Sequence, residues 1–145
     1  AWEGVQWPGR LEVISTQPLI ILDGAHNPHA VAPLVTTMKE RYGQLDKQVL
    51  FTCIQTKAIE EMLELWSGLE KSQLTLTTFK DSRAYSVRDM QEIALQKGLP
   101  YQEWKVFLTH YLERKSQQSD LLLVTGSLYF LAQVRAFLIE EISRR

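Results

Sequence analysis

At 145 residues the chain has room for one domain with its own core, since a chain of this size buries roughly 70% of the surface it exposes when unfolded. Sixteen Lys and Arg against seventeen Asp and Glu leave a formal charge of −1, which gives no electrostatic basis for binding nucleic acid or an anionic membrane. The single cysteine excludes an internal disulfide and fits a reducing, cytoplasmic compartment; no apolar run approaches membrane-spanning length, and the first residues lack the regions of a signal peptide.

Ala1 to Gln6 has no periodicity and reads as a connector. Trp7-Pro8-Gly9 is a turn signal, and Leu11-Glu12-Val13-Ile14-Ser15 alternates as a short strand. Arg10 therefore emerges beside a sheet edge, and on its residues alone it is an ordinary surface arginine. Thr16-Gln17-Pro18 is too short for a helical crossover, so the strands around it pair antiparallel. Leu19-Ile20-Ile21-Leu22 is aliphatic without alternation, the pattern of a strand buried on both faces of a parallel sheet. Asp23 then stands at that strand's carboxyl end, followed by Gly24, Ala25 and His26. Asn27-Pro28 is a helix opening, because Asn accepts from orphan amides and Pro has none to leave unpaired. In open α/β sheets ligands bind at this mouth, and a helix start favours an anion. Val31, Leu34, Val35, Met38 and Tyr42 form an apolar helical stripe that Gly43 can stop. Pro33, inside that stripe, predicts a loose opening turn carrying a surface His29, with regular helix from Pro33 onward.

Val49 to Ile54 is the next buried strand, with Cys53 as a small core residue rather than a reactive thiol. Gln55-Thr56-Lys57 is the loop at its end, and Ala58, Ile59, Met62, Leu63 and Trp66 make a core-facing helix stripe. Leu74 to Phe79 alternates and is rich in β-branched residues, which places a strand toward the sheet's periphery. Lys80-Asp81-Ser82-Arg83-Ala84 is a polar loop. Ser86-Val87-Arg88-Asp89 has capping-box spacing for a helix that stops at Gly98, and 99–102 reads as a very short edge strand. Trp104, Phe107, Leu108, Tyr111 and Leu112 lie at helical spacing, with His110 off the stripe. Asp120 to Val124 is an apolar strand for the middle of the sheet. In the turn that follows, Gly126 lets backbone approach a ligand and Ser127 can cap the last helix, whose Leu128, Leu131, Val134, Leu138 and Ile142 face inward. The Asp23 and Ser127 turns both end strands on one side, which predicts a shared pocket. The fold expected is α/β: a Rossmann-like, doubly wound, mostly parallel sheet with one antiparallel N-terminal edge strand and helices on both faces.

Asp23-Gly24-Ala25-His26-Asn27-Pro28, with Trp7-Pro8-Gly9-Arg10-Leu11-Glu12 before it and Val124-Thr125-Gly126-Ser127-Leu128-Tyr129 after it, resembles the C-terminal domain of the folylpolyglutamate synthase and dihydrofolate synthase family, a branch of the Mur ligases. The resemblance implies one domain over 1–145, with an N-terminal ATPase domain outside this chain carrying the phosphate loop and the Mg²⁺ ligands. It implies an ATP-dependent ligase that joins L-glutamate to folate through an acyl phosphate, possessing here only half its site and inactive alone. By the same resemblance His26 is catalytic, Arg10 and Asp23 bind ATP, and Asn27 and Ser127 hold glutamate, with a helix cap as the simpler role for both Asn27 and Ser127. The implied partners are the protein's own N-terminal domain, ATP, folate and glutamate, without nucleic acid or membrane, in a monomer. Two loops depart from the family: Lys57 lacks flanking aspartates, and Ser82 replaces the proline of Pro-Arg-Ala before Arg83-Ala84. No Gly-x-x-x-x-Gly-Lys-Ser/Thr occurs and no cluster has metal-ligand spacing. The alternatives are another Mur-type amino-acid ligase and a non-catalytic receiver-like module.

Overall fold

A computed structural model describes residues 9–114 and 119–145; the connector at 1–6 and most of the turn at 7–9 lie outside them. Ten elements follow in chain order: β1 Glu12–Thr16, β2 Leu19–Asp23, α1 Pro28–Tyr42, β3 Lys47–Thr52, α2 Ile59–Ser67, β4 Ser72–Leu76, α3 Val87–Lys97, α4 Trp104–Arg114, β5 Leu121–Gly126 and α5 Leu128–Arg144. The strands form one sheet in the order β1-β2-β5-β3-β4. β1 pairs antiparallel with β2, and the other contacts, β2 with β5, β5 with β3 and β3 with β4, are parallel.

The apolar runs explain the layering. Ile21, Val49, Phe51, Leu121 and Leu123 face α1, α2 and α3, while their neighbours Ile20, Leu22, Leu50, Leu122 and Val124 face α4 and α5. Both sheet faces are thus dry, as continuous aliphatic strands require. β5, aliphatic from Leu121 to Val124 and buried along its whole length, occupies the centre. On the α4 and α5 face, Trp104 packs edge-on against Phe130 and Phe137 at centroid separations of 5.9 and 5.5 Å, a geometry that aligns ring edges with ring faces.

Several boundaries differ from the sequence expectation. α1 is helical from Pro28, so Pro33 interrupts nothing. Only the bond to the His29 carbonyl is lost, and His29 and Pro33 are both exposed, where water replaces it. Gly43 ends the helix in a right-handed conformation, φ −58°, so it is not the left-handed stop. The α1 end is instead neutralised by Lys47, 2% exposed, whose Nζ donates to the carbonyls of Tyr42 (3.1 Å) and Leu45 (2.7 Å). β3 and β4 finish at Thr52 and Leu76, and Ile54 keeps only an isolated bridge to Ala84. The 99–102 segment closes part of the β4 edge through one bridge, Tyr101 to Leu76.

Candidate functional site at the carboxyl end of the sheet

The parallel register fixes the site. Asp23 at the end of β2 lies opposite Thr125 near the end of β5, and Thr52 at the end of β3 lies opposite Gly126. The Asp23 and Ser127 turns are therefore at the same end of adjacent strands, as expected. α1 and α5 both begin there, so two positive helix termini point to one mouth.

Asp23 is 5% exposed. Its Oδ2 accepts the Leu11 N–H at 2.9 Å and its Oδ1 accepts the Ala25 N–H at 3.0 Å. Burial raises its carboxyl above the ordinary range, opposed by those two amides and by the nearby Arg10 charge. The carboxylate thus ties the segment before β1 to the turn after β2, a role its sequence position did not reveal. Gly24 N–H donates to the Gly9 carbonyl at 2.6 Å, completing the join. Arg10, between Gly9 (φ +78°) and Leu11 (φ +46°), is exposed and makes no ion pair among the described residues.

His26 is exposed, and its Nδ1 lies 2.8 Å from the Gly24 carbonyl. A carbonyl only accepts, so Nδ1 carries the hydrogen and the neutral ring presents a bare Nε2 lone pair. Asn27 caps α1 by accepting the Ala30 N–H at 2.9 Å, leaving its NH₂ without a partner among the described residues. Ser127 is 4% exposed and accepts the Tyr129 N–H at 3.1 Å, leaving its hydroxyl hydrogen to donate elsewhere.

Gly126 serves a different purpose from the one its sequence predicted. With φ +135°, a Cβ there would stand 1.7 Å from the Thr52 carbonyl oxygen, so the glycine is required to admit the neighbouring strand. Beside it the hydroxyls of Thr52 and Thr125 are buried without hydrogen-bond partners among the described residues.

Sequence reasoning left Arg83 without a role and did not single out Tyr129. The Arg83 guanidinium lies 4.0 Å over the Tyr129 ring, and its Nε and Nη2 donate to the two Asp81 oxygens at 2.9 and 2.8 Å. Those bonds hold the Asp81 carboxyl down at about 2. A cation is thus brought onto Tyr129, in the first turn of α5. Its signal was Arg83-Ala84 in the loop after β4. Among the described residues no three His, Cys, Asp or Glu side chains group as a metal site.

A family model described as the Mur ligase, glutamate ligase domain matches residues 9–128. The chain is 30% identical over 129 residues to the dihydrofolate synthase/folylpolyglutamate synthase of Bacillus subtilis (strain 168), covering 89% of this chain and 30% of that protein. It superposes on the ligand-free bifunctional folylpolyglutamate synthase/dihydrofolate synthase of Yersinia pestis with a TM-score of 0.74 and 26% identity, over 92% of this chain and 32% of that one. A bifunctional folylpolyglutamate synthase/dihydrofolate synthase with Mn, AMPPNP and L-glutamate bound gives a TM-score of 0.73 and 25% identity, over the same 92% and 32%. The chain spans about a third of the length of these relatives. A match that covers both turns and all five strands of the sheet means that the chain belongs to the Mur ligase, glutamate ligase domain family.

Proposed function

We propose that this chain is the C-terminal half-site of an ATP-dependent ligase that adds L-glutamate to a folate. The observation that carries the reading is the register of β2 with β5, which brings the turns holding His26, Asn27 and Ser127 to one mouth between two helix starts, with the Arg10 segment tied to the same end by the Leu11 N–H on Asp23. The relatives' names supply the substrate class, and the bound AMPPNP, Mn and L-glutamate of one structural neighbour agree with it.

In this reading ATP phosphorylates the folate carboxylate, and the glutamate amine then displaces phosphate. Amide formation requires a free amine. The His26 Nε2 lone pair takes one proton from the glutamate ammonium, the amine nitrogen attacks the acyl carbonyl, and phosphate departs with the electron pair of the broken C–O bond and carries off the second nitrogen proton, leaving the neutral amide. The Nδ1–H bond to Gly24 keeps the ring in the tautomer that makes Nε2 the base. Arg10 contacts the nucleotide with a planar, permanently charged fork. Asp23 keeps one lone pair on each oxygen for a ribose hydroxyl, and the free Asn27 NH₂ and Ser127 O–H serve the glutamate carboxylates. Among the described residues no three His, Cys, Asp or Glu side chains are grouped as magnesium ligands would be. The Mg²⁺ ligands are accordingly assigned to an N-terminal ATPase domain, and no step above runs through the ion.

Steady-state kinetics of the full-length protein, following phosphate release from ATP, tests the reading. Turnover should require folate and glutamate together. Turnover indifferent to folate, or faster with a different acid substrate, would move the protein to another branch of the Mur ligases.

A further inference from the structure

Arg135 stands on α5, 123 residues from Glu12 on β1, and its guanidinium grips the Glu12 carboxylate with two bonds. Nε donates to Oε2 at 3.2 Å and Nη2 donates to Oε1. The pair is partly withdrawn from water, with side-chain exposures of 29% and 19%. Such a two-point contact fixes orientation as well as charge.

Glu12 Oε1 also accepts the Gly9 N–H at 3.2 Å. The short hook from Gly9 to Leu11 is therefore held at both ends by carboxylates: Glu12 on Gly9, and Asp23 on Leu11 at 2.9 Å. The hook needs holding, because Leu11 occupies the left-handed region at φ +46°, which side chains other than glycine rarely adopt. Strained backbone of this kind persists where its surroundings over-determine it. Arg10 is the residue at the hook's apex and the only one of the three whose side chain is exposed.

We propose that Arg135 is a positioning residue for nucleotide binding: by fixing Glu12 it sets the hook that presents Arg10 at the mouth. The inference rests on the proposed role of Arg10 and adds a residue distant in sequence and outside the mouth. Its physical content is a relay from α5 through Glu12 to the Gly9 amide. Because α5 also begins with the Ser127 cap, one helix then orients both sides of the site. The lowering of the Glu12 carboxyl by its hydrogen bonds from Arg135 agrees with an engaged ion pair.

A mutant cycle in the full-length protein tests this, with Arg10→Ala, Arg135→Met and the double variant. Arg135→Met should raise KM for ATP on the order of tenfold while kcat changes less than about twofold, the pattern of a lost ground-state contact. Arg135→Lys, which keeps the charge but not the fork, should recover part of the loss. The double variant should be no worse than Arg10→Ala alone, because coupled residues are not additive. Multiplying effects, or an Arg135→Met variant that melts earlier with an unchanged KM for ATP, would reduce the pair to a simple brace and overturn the proposal. Glu12→Gln breaks the same link from the other side and must reproduce the pattern, which guards against a folding defect in Arg135→Met. Hydrogen exchange at 9–11 in the nucleotide-free protein should accelerate in Arg135→Met, and no acceleration would sink the relay. If Arg10→Ala leaves KM for ATP unchanged, the nucleotide assignment fails instead, and the exchange result still decides the relay.

Discussion

Replacing Gly126 by Ala tests whether the mouth is built by strand packing. The new Cβ would stand 1.7 Å from the Thr52 oxygen and 2.9 Å from its carbonyl carbon. Both obstacles are backbone, so no rotamer change relieves them, and reaching even 3.0 Å needs a shift of about 1.3 Å (3.0 minus 1.7). At φ +135° the residue would also be strained, by about 1–3 kcal/mol. Opening the β3 and β5 ends forfeits one or two ladder bonds at about 1 kcal/mol each. The sum is about 2–5 kcal/mol. Gly98→Ala is the matched control: its φ is +67° and nothing lies within 4 Å of the new methyl, so only left-handed strain of about 1–2 kcal/mol applies. In urea, with a slope of about 2 kcal/mol/M for a domain of this size, the midpoint should fall by about 1–2.5 M for Gly126→Ala and by about 0.5–1 M for Gly98→Ala. Equal midpoints for the two variants would refute the claim that β5 is clamped against β3 at this point.

His26→Ala in the full-length protein should slow turnover by about 10²–10⁴-fold, the scale of a lost general base, with a melting temperature nearly unchanged, because the ring is exposed and makes one bond; unchanged turnover would leave the amine without its proton acceptor. Asp23→Asn must orphan one of two amides, since the NH₂ group cannot accept, and should cost about 1–3 kcal/mol in chemical denaturation. Glu12 titrates below its ordinary 4.5 because Arg135 bonds its charged form. Its stabilisation is therefore complete above about pH 4.5 and disappears as pH falls through the folded value, so Glu12→Gln should flatten that part of a stability-versus-pH curve. Carboxyl titration by NMR should place Asp81 near 2, and Arg83→Met should return it toward 3.8.

The sheet was legible because its signals are local. Four aliphatic residues before Asp23 and four before Thr125 mark strands covered on both faces, and a three-residue link at 16–18 permits only an antiparallel partner for β2. The shared mouth followed from strand direction. What stayed hidden depends on distant or tertiary facts. Nothing near Glu12 in the chain announces Arg135, and Asp23 reads as a ligand group until the Leu11 and Ala25 amides are seen on it. Gly126 looked like a ligand-facing glycine because the Thr52 carbonyl that needs the space lies on another strand. Pro33 misled because propensity describes an interior helix position, whereas here the orphaned carbonyl faces water. Gly43 marked the end of α1 as read, but the buried lysine four residues later that satisfies carbonyls there was not legible, because its contacts are made only in the folded chain.

The centre of the sheet is the last strand to be synthesised. Before residues 121–126 leave the ribosome, β1 with β2 and β3 with β4 are two separate pairs whose facing edges lack their native partner, since β2 and β3 each bond to β5 and not to each other. Translation adds about 5–20 residues per second, so the nascent chain passes through an interval with two open, strongly aliphatic edges. Insertion of β5 closes both at once, through pairings of high sequence separation on the β2 side that slow folding. Truncated products ending before Leu121 should therefore be aggregation-prone rather than partially active, and the vulnerable window for a chaperone to occupy is this one.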